Sequence, residues 1–108
     1  MKLSDFIIST LRDKYGVTDI FLVSGGGIMH LLDSVGAAEG IRYYCTYHEQ
    51  AAVVAAEGYA RQSGRLGVAL VTVGPGAANA VSALPGAWAD SVPILVKAGE
   101  VRIELIAD

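Results

Sequence analysis

Glu49 stands beside His48, where a short tyrosine-rich run, Ile41 to Cys45, hands over to a helical one. From Ala52 onward, positions 52, 55, 56, 59 and 60 follow the i, i+3, i+4, i+7, i+8 rule of an amphipathic helix, and that face is mostly alanine. Small side chains let a neighbouring backbone come close. Glu57 and Arg61 form an i, i+4 pair in the favourable order, and Gly64 is placed to end the helix. A lone glutamate in a first helical turn ordinarily complements the helix dipole. Whether Glu49 does more depends on what the fold brings to the same place.

Two glycine-rich segments are candidates. Ser24-Gly25-Gly26-Gly27 follows the apolar run Asp19 to Val23, and Gly74-Pro75-Gly76 follows Val68 to Val73. Glycine admits positive φ and the close approach of a ligand to the backbone, yet either segment also reads as a plain tight turn. Neither is a Walker A loop, since no Lys-Ser/Thr pair follows. Gly74-Pro75-Gly76-Ala77-Ala78-Asn79 begins like a dinucleotide fingerprint but ends in Asn, and the next strand ends in Lys97 and Ala98 with Glu100 close by, a poor match to the required acid. His30 and His48 are the only histidines and lack zinc-ligand spacing. No Gly-x-Ser-x-Gly elbow occurs.

The elements that position these segments alternate along the chain. Ser4 reads as the N-cap of a first helix with Ile7, Ile8, Leu11 and Tyr15 on its apolar stripe and Gly16 at its end. Asp19 to Val23 reads as a buried strand. A second helix carries Ile28, Leu31, Leu32 and Val35, followed by a loop from Gly36 to Gly40. Ile41 to Cys45 is the second strand, with Cys45 expected to fill core space at its end. After the alanine-rich helix comes the β-branched strand Val68 to Val73. A helix from near Ala77 follows, with Val81, Leu84 and Trp88 on its buried side and an interruption at Pro85-Gly86. A fourth strand runs from Pro93 through Ile94, Leu95 and Val96 to Gly99, and Glu100 to Asp108 is too short to classify. The alternation predicts an α/β fold with a doubly wound, mostly parallel sheet and helices on both faces. Ligands bind outside the carboxyl ends of such strands. Ser24 to Gly27, Tyr47 to Glu49 and Gly74 to Gly76 all follow strands there, and right-handed crossovers bring them to one edge.

The chain has 108 residues, 53% of them hydrophobic and 18% charged, which predicts one globular domain over 1–108. A formal net charge of -3 and the lack of a basic cluster argue against nucleic acid as a partner. No apolar run is long enough to span a membrane. Met1-Lys2-Leu3-Ser4-Asp5 lacks a signal-peptide pattern and reads as the start of a cytoplasmic protein. Cys45 is alone, so no internal disulfide is available.

Four motifs in order carry a resemblance over nearly the whole chain. They are Leu22-Val23-Ser24-Gly25-Gly26; His48-Glu49-Gln50-Ala51-Ala52 with Ala56-Glu57-Gly58-Tyr59-Ala60-Arg61; Gly74-Pro75-Gly76-Ala77-Ala78-Asn79; and Ala87-Trp88-Ala89-Asp90-Ser91-Val92-Pro93-Ile94. Together they resemble the N-terminal pyrimidine-binding domain of thiamine diphosphate enzymes, acetolactate-synthase-like enzymes above all. The resemblance implies that Glu49 hydrogen-bonds N1′ of the cofactor's aminopyrimidine. That bond favours the 4′-imino form, which takes the C2 proton of the thiazolium, and the ylid then attacks a carbonyl, commonly of a 2-keto acid. It also implies that Gly74, Pro75 and Asn79 lie along the pyrimidine, and that Val23, Ser24, Gly25 and Gly26 form part of the same wall. Ser24 stands where relatives often have Pro.

The same resemblance implies a second thiamine diphosphate-binding domain, in the same or a partner subunit, that holds the diphosphate and Mg²⁺. No metal ligand is expected from this chain, and FAD is a further cofactor the family admits. The domain reads as truncated, its parent as a homo-oligomer, and the segment alone as inactive. The alternative is a non-catalytic assembly or binding module of the same fold.

Overall fold

A computed structural model describes residues 2–99. Four strands form one parallel sheet in the order β2-β1-β3-β4: β1 is Asp19–Leu22, β2 Arg42–Cys45, β3 Gly67–Val71 and β4 Ile94–Ala98. The chain steps one way from β1 to β2, then back across β1 to β3 and β4. The strand order therefore reverses between β1 and β3, the place beyond whose carboxyl ends sheets of this kind bind ligands. The expected α/β architecture is present. Glu100 to Asp108 lies outside the described residues.

The pleat divides the core in two. Ile20 and Leu22 of β1 and Val68 and Leu70 of β3 pack against Ile8 and Leu11 of α1 (Leu3–Tyr15) and Leu31 and Val35 of α2 (Met29–Ala37). Ala69 and Val71 of β3 point the other way, onto Ala52, Val53 and Ala56 of α3 (Glu49–Ser63) and Ala80 of α4 (Pro75–Val81). Helices thus cover both faces. The alanine face of α3 does what small residues allow, because a Cβ added at Gly67 would collide with the Ala56 carbonyl. Helix and strand meet nearly backbone to backbone. Gly16 and Gly64 end α1 and α3 in the left-handed conformation, at φ 67° and 72°.

Several local expectations are corrected. Ser4 is not an N-cap: α1 begins at Leu3 after Lys2, and Ser4 is buried in the first turn, 3.0 Å from the Ser34 hydroxyl of α2. Tyr15, assigned to the apolar stripe of α1, is exposed at the helix end. Cys45 is exposed at the end of β2, which pairs only with β1 among the described residues and so forms the edge of the sheet. Val81 and Trp88 are also exposed, Trp88 at 87%. The interruption falls at Ser82 and Ala83, ahead of Pro85, and starts a separate helix α5 (Leu84–Ala89). Ala80, Ala83 and Ala87 face inward instead, spaced i, i+3, i+7 in one helical phase that the break leaves unchanged.

At the amino end of β1, the buried Asp19 carboxylate accepts from Thr18 Oγ1 at 2.6 Å and Tyr44 Oη at 2.8 Å and pairs with Arg42 at 3.0 Å. Phe21 stacks on Tyr44 with ring centroids 5.1 Å apart. This network ties the edge strand β2 to the sheet.

Candidate functional site

Three connections leave the carboxyl edge of the sheet, and each has its own local cause. After β1 the ladder runs one residue further, Val23 N–H donating to Leu70 O at 3.2 Å. The chain then turns through Ser24 and Gly25 into a 3₁₀ turn, Gly26–Ile28, that leads into α2. After β2, Thr46 N–H donates to Leu22 O at 2.8 Å, and the Thr46 hydroxyl donates to His48 O at 3.0 Å. His48 is the N-cap of α3: its Nδ1 accepts from Gln50 N–H at 3.0 Å, so the ring hydrogen belongs on Nε2. After β3, Gly74 takes φ 64°, and Pro75 opens α4 at a position where its missing N–H costs nothing.

Glu49 is the first residue of α3, and its half-buried side chain lies over the first turn of α4. Oε2 accepts from Asn79 Nδ2 at 3.4 Å. Oε1 would lie 3.2 Å from a Cβ placed on Gly76. Glycine at 76 thus leaves the carboxylate its seat. The N-terminal end of α3 supplies a favourable dipole for the anion, and the long bond to Asn79 leaves acceptor capacity on both oxygens.

Thr72, the residue after β3, joins the connections. A Cβ added at Gly25 would stand 2.6 Å from Thr72 Cβ, and one added at Gly76 would stand 2.9 Å from Thr72 Cγ2. Gly27 N–H donates to Thr72 Oγ1 at 3.2 Å. Gly27 is hemmed in from the far side by Gly99, where an added Cβ would strike the Gly27 carbonyl.

Of the residues expected at a site, Glu49, Asn79 and Gly76 of the Gly74-Pro75-Gly76 segment come together directly. Gly25 reaches this group through Thr72. Val23 is half-buried and packs with the α3 face of the sheet. Gly26 is exposed, with open space where a side chain would be. Ser24 borders a shallow cavity of about 220 Å³ beside Leu22, Leu32, Val35, Tyr43 and Cys45, on the α2 side. Sequence reasoning missed Thr72 and the capping role of His48. Thr72 gives no local signal, since it reads as one more β-branched strand residue.

Around Glu49 the fold gathers a carboxylate acceptor, a side-chain amide and a glycine that admits close approach. Among the described residues no group of three His, Cys, Asp or Glu could hold a metal ion, and no helix is long and apolar enough to cross a membrane.

Residues 1–107 match the family described as thiamine pyrophosphate enzyme, N-terminal TPP binding domain. The chain is 46% identical over 98 residues to the acetolactate synthase large subunit of Lactococcus lactis, covering 91% of this chain and 17% of that protein. It is 41% identical over 103 residues to the acetolactate synthase large subunit of Haemophilus influenzae, covering 95% of this chain and 18% of the relative. Acetolactate synthase 2, chloroplastic, of Nicotiana tabacum is 44% identical over 105 residues, with 97% and 16% covered. The chain therefore spans less than a fifth of the length of these relatives.

Proposed function

The chain belongs to the thiamine pyrophosphate enzymes as their N-terminal TPP-binding domain, and from this we propose that it is the pyrimidine-binding part of an acetolactate-synthase-like enzyme acting on 2-keto acids. The observation that carries the proposal is the Glu49 carboxylate, seated between Gly76 and Asn79 at the strand-order reversal. Thiamine diphosphate, when bound, supplies a thiazolium carbon acidic enough to become a nucleophile toward carbonyls.

Glu49 would accept or share a proton at a pyrimidine ring nitrogen, and Asn79 steadies its Oε2. The helix start holds the carboxylate in place, and Gly76 keeps its flank open to a flat ring. By the family pattern Val23, Ser24, Gly25 and Gly26 would hold the pyrimidine from the β1 side, and Gly74 and Pro75 from the β3 side. The diphosphate and its Mg²⁺ fall to a second domain of the same or a partner subunit, because charge of that density needs an oxygen-rich ligand set. A homo-oligomeric, cytoplasmic parent and a bound FAD accord with the same family pattern.

The test uses the complete protein with thiamine diphosphate and Mg²⁺. Glu49→Gln keeps size and a hydrogen bond but cannot relay a proton. Hydrogen–deuterium exchange at C2 should fall by a factor on the order of 10²–10⁴, the usual span for a lost acid–base group, with a smaller loss of cofactor affinity. Exchange at the wild-type rate leaves Glu49 as a helix-start acid and removes the proposal.

A further inference from the structure

Thr72 leaves β3 with each of its branches committed to a different segment. Its Oγ1 accepts from Gly27 N–H at 3.2 Å. Its Cβ sits where a Gly25 side chain would have to be, so the extended Gly25 lies flat against it. Its Cγ2 abuts Gly76, whose other flank meets Glu49 Oε1. We propose that Thr72 is a positioning residue for the cofactor site: its hydroxyl fixes the Gly25–Gly27 wall relative to the Gly76–Glu49 seat and so sets the spacing of the pyrimidine site. This rests on the function proposed above.

The physical case is one of tolerance. Side chains on rigid elements place a ligand well only when their own supports are fixed, and errors of about 1 Å are costly. The Gly25–Gly27 segment has no strand partner for Gly27 N–H, and the bond to Thr72 is what satisfies that donor. Without it the N–H must find water or another acceptor, and the wall moves with it.

Two variants of the complete protein separate hydroxyl from methyl. Thr72→Val keeps the branched shape beside Gly25 and Gly76 and loses the acceptor. Thr72→Ser keeps the acceptor and loses the methyl group. Two readouts apply: amide hydrogen exchange of the peptide covering 24–28 without cofactor, and the dissociation constant for thiamine diphosphate at saturating Mg²⁺. Thr72→Val should exchange faster at 24–28 and bind about tenfold more weakly, the size of effect expected for one lost hydrogen bond. Thr72→Ser should stay within about twofold of wild type in both, by the same reckoning. Wild-type binding by the Val variant, or equal impairment of both variants, overturns the role of the hydroxyl. Should wild-type protein fail to bind thiamine diphosphate at all, the function proposed for the site falls, and this inference with it. Should Thr72→Val fail to fold, impairment in a folded Thr72→Ser still overturns the inference and intact behaviour supports it.

Discussion

Asn79 Nδ2 donates to Glu49 Oε2 at 3.4 Å, across thirty residues of sequence and between two helices that start at the same edge of the sheet. The bond is long, so it steers the carboxylate rather than clamping it. Asn79→Ala should therefore lower C2 exchange in the complete protein far less than Glu49→Gln does, by about tenfold or less, as expected for one modest hydrogen bond. Isotope exchange followed by NMR checks this. A loss as large as that of the Glu49 variant would mean that Asn79 touches the cofactor itself.

The glycines of the first loop are predicted to differ sharply. Gly25→Ala drives a Cβ to within 2.6 Å of Thr72, whereas Gly26→Ala meets nothing within 4 Å. The first should destabilise by about 1–3 kcal/mol, the usual cost of overpacking. The second should leave the fold intact and disturb only binding, if the pyrimidine lies against it. Denaturant melts and cofactor titrations of the two variants, side by side, separate these effects.

Much of this was legible in sequence because its causes are local. Gly16 and Gly64 end helices where the apolar period stops, and Glu57 reaches Arg61 at 2.9 Å because i, i+4 spacing allows little else. The carboxyl-edge convergence followed from strand–helix alternation alone. What was not legible depends on tertiary position. Cys45 is apolar enough for a core, but only the sheet order makes β2 an edge. Val81, Leu84 and Trp88 fit a helical period, but Ala80, Ala83 and Ala87 fit the same period one residue earlier, and it is the alanine stripe that is buried. Thr72 became visible only when two distant glycine segments were folded against it.

Asp19 makes stability depend on acid pH. Burial pushes its carboxyl up, but the donors Thr18, Tyr44 and Arg42 together outweigh this and hold it below the usual carboxylate range. The folded state therefore binds the proton less readily than the unfolded chain. The resulting stability is present above about pH 4, the unfolded range for Asp, and is lost as pH falls through the folded value. Asp19→Asn should flatten this part of the profile in urea melts at stepped pH. Asp19→Ala should cost about 1–3 kcal/mol at neutral pH, as hydrogen bonds to a charged group are removed.

The isolated 108-residue chain should self-associate. Among the described residues β4 pairs only with β3, which leaves one side of its backbone as an open edge. Leu3, Phe6, Val81 and Trp88 are all more than half exposed, a heavy apolar load for so short a domain. The two causes respond to different changes. Trp88→Ser removes the largest exposed apolar side chain without touching the core, so it should weaken association and leave the fold unchanged. Leu95→Lys places a charge on the half-exposed edge strand and should weaken edge pairing in the same way. Sedimentation velocity at micromolar concentration, with circular dichroism to check the fold, reads both. A monodisperse, stable wild-type monomer would show that the edge and the apolar surface are covered within the segment itself.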